Sequence, residues 1–167
     1  TLTGLFNRRK LDEVLSQECL RAQRTGSPMA LILADIDKFK QVNDTHGHLL
    51  GDQLLVAIAG MLQQGVRQVD TVGRWGGEEF IVIAPNTPIE QMGLVAEKMR
   101  LAVLQALASQ APPVTISIGV AAATGHSLNL TALMADADSA LYRAKDNGRN
   151  RVELSPAIAQ DKSSKPE

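Results

Sequence analysis

The sequence predicts an α/β (α+β) domain, with one central mixed sheet and helices packed on it. Three observations lead there. Met29-Ala-Leu-Ile-Leu-Ala34 is a continuous apolar run of strand length, as a buried strand requires. Residues 67–85 set apolar residues on either side of Gly76-Gly77, the pattern of a β-hairpin. Stretches with apolar stripes at helical spacing separate these strands, and alternating elements of this kind fold as helices on a sheet.

In chain order, Leu11, Val14, Leu15, Cys19 and Ala22 mark a first helix, which Gly26-Ser-Pro28 ends. The 29–34 strand follows and runs out into Asp35-Ile36-Asp37. A long helix spans about His48 to Gln64, with Leu50, Leu54, Ile58 and Leu62 on one face. In the hairpin, the glycines are expected to accept positive φ, and Glu78 and Glu79 to begin the outgoing strand with side chains on opposite faces. Pro88 opens a helix to about Gln110, striped by Ile89, Met92, Ala96, Met99 and Val103, and Pro112-Pro113 breaks it. Val114–Val120 is a β-branched strand in which Gly119 marks a bulge or a close backbone approach. Leu133, Ala137, Ala140, Leu141 and Ala144 stripe the last helix, capped at Asn147-Gly148, and a closing strand covers 149–154. Residues 1–154 are thus read as one domain and 155–167 as a disordered polar tail.

The composition narrows the function classes. The chain has 167 residues, 44% hydrophobic and 21% charged, which suits one globular domain; with 3% aromatics its core must be aliphatic. A net charge of −1 provides no general attraction to nucleic acid or an anionic membrane. The single cysteine, Cys19, excludes an internal disulfide and any Cys-based zinc cluster. No run approaches the ~20 apolar residues of a membrane helix, and neither a P-loop nor a GxGxxG motif is present. His46 and His48 lack a third ligand at useful spacing and read as structural. Arg8, Arg9 and Lys10 read as a solvated helix start rather than an anion site.

Several acidic and basic residues carry two readings each. Glu78 and Glu79 beside a bare glycine turn are either solvated surface groups or ligands of a hard cation. Asp35 and Asp37 share one strand face, and a carboxylate at the exit of a buried strand needs a partner, either hydrogen-bond donors or a metal. Asp52 near a helix N-terminus is explained equally by the helix dipole, and Lys145 and Arg149 by the dipole of a helix C-terminus. Arg67-Gln-Val-Asp70 alone is an exposed salt bridge.

Four blocks change the balance between these readings. Thr1–Arg9 (Thr-Leu-Thr-Gly-Leu-Phe-Asn-Arg-Arg), the Asp35–Asp52 segment (DIDxFKxxNDxxGHxxGD), Gly76-Gly77-Glu78-Glu79-Phe80 and Tyr142–Asn150 (YxAKxxGRN) resemble the GGDEF domain family in its GGEEF form. Members of that family are diguanylate cyclases, which condense two GTP molecules into cyclic di-GMP, and they share a palm-like nucleotidyl cyclase fold with a mixed, mainly antiparallel sheet.

The resemblance implies roles residue by residue. Asp35, Glu78 and the backbone carbonyl of Ile36 match the metal ligands, with Glu79 as a further metal or hydroxyl-activating group, for two Mg²⁺ or Mn²⁺ per active site. Lys145 and Arg149, with the N–H groups of Phe39 and Lys40, would hold the β- and γ-phosphates. Asn43 and Asp52 match the guanine readers, and Gly76 and Gly77 leave room for the nucleotide. Arg67 and Asp70 match the RxxD inhibitory site for the cyclic product. The helix position that often adds an Arg to that site is Lys98, which keeps the charge but loses the bidentate fork. Catalysis would need a homodimer, controlled by an N-terminal sensor or regulatory region outside this sequence, in the cytoplasm, either free or as the cytoplasmic part of a membrane-anchored protein, without a nucleic-acid partner. The competing expectation is a catalytically silent module that binds cyclic di-GMP.

Overall fold

The computed structural model describes residues 2–156. The elements are α1 (Arg8–Thr25), β1 (Pro28–Ile36), α2 (Phe39–His46), α3 (His48–Gln64), β2 (Thr71–Arg74), β3 (Glu79–Pro85), α4 (Ile89–Ala106), β4 (Ile116–Thr124), α5 (Leu130–Asp146) and β5 (Val152–Leu154). The strands form one sheet in the order β2-β3-β1-β4-β5. Its pairings are antiparallel except for β4 with β5, so the sheet is mixed and mainly antiparallel, as the sequence predicts.

The alternation of side chains along β1 builds two cores. Ala30, Ile32, Ala34 and Ile36 face α2, α3 and α4, joined by Phe80, Val82, Ile118 and Val120. Met29, Leu31 and Leu33 face α1 and α5, joined by Ile81, Ile83 and Ala121. The striped helices supply the opposing surfaces: Leu54, Ile58 and Leu62 from α3, Met92, Ala96, Met99 and Val103 from α4, and Leu133, Ala137 and Leu141 from α5. Asp35 continues the Met29–Leu31–Leu33 series, so parity alone brings its side chain out on the α1/α5 face.

Helix ends follow the residues that cap them. The Asn7 side chain accepts the Lys10 N–H at the start of α1, and Gly26, at φ 73°, closes its end. Asn129 caps α5 in the same way through Ala132 N–H.

The structure corrects several boundaries. The eight-residue α2 lies in a stretch to which the sequence assigned no element, because only Phe39 and Val42 bury apolar side chains and the pattern is too short to register. α4 ends at Ala106, β4 runs later than expected, and β5 begins only at Val152. Gly76 and Gly77 do not adopt left-handed φ, and the turn reaches through Glu78, so that Glu79 opens β3. Gly119 sits in unbroken register with Leu33, which excludes a bulge there. It is instead a close approach, since a Cβ would stand 2.3 Å from Leu141 N and 2.5 Å from Ala137 O of α5. Ser155, assigned to the tail, is buried and donates its N–H to Val120 O at 2.7 Å, while 157–167 lie outside the described residues.

Candidate active site

The site lies where the exits of β1 and β4 meet the start of β3 and the end of α5. β1 and β3 are in register, with Asp35 opposite Glu79, so two carboxylates from distant parts of the sequence become direct cross-strand neighbours. Ile36 N–H donates to Glu78 O at 3.3 Å, tying the turn to the end of β1. α5 delivers Lys145, whose Nζ is 2.6 Å from Asp35 Oδ2.

Electrostatics mark this cluster. Burial pushes the carboxyls of Asp35, Glu78 and Glu79 above the ordinary range. The charge of Asp35 adds to the effect on both glutamates, while Lys145 pulls Asp35 partly back. Among the described residues, no three His, Cys, Asp or Glu side chains are gathered tightly enough to enclose a metal ion. The donor set nevertheless suits a hard divalent cation, since it consists of carboxylate and carbonyl oxygens. A cation there would offset both the burial of these three carboxyls and the repulsion that adds to it.

The basic residues divide between two places. Lys145 is on Asp35, whereas Arg149 lies beyond the end of α5 at φ 63° and lines an open cavity of about 390 Å³. Asp37, Lys38, Gln41, Thr115 and Asn150 line it too. Lys38 precedes α2 at φ 55°, and among the described residues no side chain caps the helix; Lys38, Gln41 and Val42 border this cavity. Phe39 is buried in the core and Lys40 is exposed, and neither lines the cavity. Asn43 of α2 packs on α3 at Gly51, where a Cβ would lie 1.9 Å from its Oδ1, and that oxygen is buried with no hydrogen-bond partner among the described residues. Asp52, the residue after Gly51, is exposed.

The hairpin turn is shaped from outside. Arg74 donates from Nε and Nη2 to Gly77 O at 3.1 and 2.6 Å, and Arg8 stacks 3.3 Å from the centre of the Trp75 ring. A Cβ on Gly77 would meet nothing within 4 Å, which leaves that side of the turn open. Lys38 and Arg74 were missed in the sequence, because isolated basic residues beside turns carry no pattern. His46, by contrast, is a structural residue as expected, with Nε2 2.8 Å from Ala111 O.

Arg67 and Asp70 meet at the entry to β2. Arg67 Nη2 lies 2.9 Å from Asp70 Oδ1 and Nε 3.2 Å from Oδ2, a bidentate pair, and Nη2 also donates to Thr87 Oγ1 at 2.7 Å. Lys98 is exposed on α4.

The family described as diguanylate cyclase, GGDEF domain, matches residues 1–151. This chain belongs to the GGDEF family. As a GGDEF domain it is 40% identical over 151 residues to diguanylate cyclase DgcM of Escherichia coli strain K12, and 42% identical over 156 residues to diguanylate cyclase DgcP of Pseudomonas aeruginosa. These matches cover 90% and 92% of the chain but only 37% and 23% of the two relatives. The GGDEF domain of DgcB from Caulobacter crescentus, solved in complex with c-di-GMP, superposes with a TM-score of 0.87 at 32% identity, covering 93% of this chain and 94% of that one. Within this GGDEF domain no helix of the described residues is long and apolar enough to cross a membrane.

Proposed function

We propose that the domain is a diguanylate cyclase, condensing two GTP into one cyclic di-GMP and two pyrophosphates. The observation that carries this reading is the cross-strand pair of Asp35 and Glu79, with Lys145 on Asp35 and the Arg149 cavity nearby. Acidic oxygens for cations thereby adjoin basic groups for a triphosphate.

Two divalent cations, Mg²⁺ or Mn²⁺, held by Asp35, the Ile36 carbonyl, Glu78 and Glu79, would neutralise the α-phosphate and acidify the 3′-hydroxyl. The chain's own residues do the rest. Glu79, set opposite Asp35 by the register of β1 and β3, accepts the 3′-hydroxyl proton. The 3′-oxygen then bonds to the α-phosphorus of the other GTP, and the bond to the β-phosphate breaks. Arg149, Lys145 and the N–H groups of Phe39 and Lys40 hold the departing pyrophosphate. Asp52 accepts from guanine N1–H and N2–H, an arrangement that adenine would leave unpaired, and Asn43 reads a further edge atom. The open side of the turn at Gly77 leaves room for the nucleotide.

Each copy holds one GTP, so two must meet about a two-fold axis, and control acts on that meeting through a regulatory region elsewhere in the protein. Arg67, Asp70 and Lys98 form a product-binding inhibitory site. A domain that consumes GTP operates in the cytoplasm. The test is incubation with GTP and Mg²⁺ at several protein concentrations, with the products separated by chromatography. Cyclic di-GMP formed at a rate steeper than linear in protein is expected. Absence of product at every concentration, with retained binding of added cyclic di-GMP, would replace this reading by that of a silent receptor.

A further inference from the structure

Asp37 has no part in the chemistry just described, yet it is the better satisfied of the two aspartates leaving β1. It is 8% exposed. Its Oδ1 accepts from Ser117 Oγ at 2.6 Å, and its Oδ2 from Thr115 Oγ1 at 2.7 Å and from Asn150 N–H at 3.0 Å. Its own N–H donates to Thr115 O at 2.9 Å. Three donors meet the need of a buried carboxylate, so a metal is not required to explain this one.

The third donor shows what the arrangement achieves. Arg149 and Asn150 are consecutive residues at φ 63° and 45°, a left-handed conformation disfavoured for any residue with a Cβ. Such a pair persists only when its surroundings over-determine it. Asp37 holds the Asn150 backbone, and Arg100 of α4 holds the Asn150 side chain, with Nη1 donating to Oδ1 at 3.0 Å. Arg100 is itself fixed by Glu97 through bonds of 2.9 and 2.5 Å. Asn150 is thus gripped from two sides, and the residue before it is the arginine that lines the cavity.

We propose that Asp37 and Arg100 are positioning residues for Arg149: together they clamp Asn150 and hold the 148–150 loop so that Arg149 meets a bound triphosphate. This rests on the triphosphate reading of the cavity. Arg100 lies outside the cavity lining, and the carboxylate of Asp37, which borders the cavity, is taken up by its three donors, so both act through Arg149.

The test is calorimetric titration of the domain with a non-hydrolysable GTP analogue and, separately, with guanosine, which lacks phosphates. Arg100→Ala is expected to weaken analogue binding by about tenfold while leaving guanosine unaffected. The Arg100→Ala/Arg149→Ala double variant is expected to bind no more weakly than Arg149→Ala alone. Asp37→Asn should act in the same direction; if it fails to fold, Arg100→Ala decides. Unchanged analogue affinity in Arg100→Ala, an equal loss for guanosine, or fully additive losses in the double variant would each overturn the positioning role. A wild-type domain that binds no triphosphate would instead overturn the functional reading on which the proposal rests.

Discussion

Burial raises the carboxyls of Asp35, Glu78 and Glu79, and this has a definite sign for stability. A carboxyl whose folded pKa exceeds its unfolded value binds more protons in the folded state. The stability it contributes is complete below the unfolded pKa and is lost as pH rises through the folded one. The cation-free domain is therefore expected to melt at lower temperature as pH climbs from the carboxylate range towards neutrality. Glu97, pulled down by Arg100, works in the other direction, so the informative comparison is between melting curves with and without Mg²⁺. Mg²⁺ at a hundred times its dissociation constant should restore about 2.7 kcal/mol at neutral pH; a midpoint indifferent to Mg²⁺ would count against the cation site. Glu78→Ala is expected to lower cyclase activity on the order of a hundredfold or more with the fold intact, read by product formation beside circular dichroism. Arg67→Ala breaks the bidentate pair with Asp70 and should move the product-inhibition curve to higher cyclic di-GMP; an unmoved curve would remove the inhibitory assignment. The place of Asp35 at the exit of a buried strand was legible because the apolar run of β1 leads into it. Its partnership with Lys145 was not, since it joins residues far apart in sequence through the packing of α5, which no local pattern encodes.

Elements were legible where burial imposes a period over several turns. α1, α3, α4 and α5 all carry the predicted stripes, and their central apolar residues are buried. What local pattern missed is short: α2, with Phe39 and Val42 as its buried residues, while the closing strand β5 was read but begins later than expected. The glycines show the same division. Gly26 ends α1 at φ 73° as read, while Gly76 and Gly77 serve by lacking a side chain rather than by a special dihedral. Gly119 supplies a test at this scale. An added Cβ would press on backbone atoms of α5, which cannot yield as a side-chain tip can, so Gly119→Ala is expected to cost about 1–3 kcal/mol. Chemical denaturation measures this directly, and a stability unchanged from wild type would mean that α5 stands further from β4 than described.

At the scale of the molecule, β1 is the hub. It lies at the centre of the sheet, pairs with β3 and β4, and separates the two cores. The site sits at its exit because that is where β3 begins and α5 ends. The sheet and its helices were legible because both faces need covering; the mostly antiparallel pairing came from the family likeness, since local patterns do not specify which strands become neighbours. The chain also contains a single tryptophan, Trp75, which stands beside the glycine turn under the Arg8 guanidinium. Tryptophan fluorescence from this chain is therefore the signal of one position next to the cluster of acidic groups. Lifting Arg8 from the ring would wet the indole and shift its emission to the red, so an unlabelled sample carries its own optical reporter of the turn.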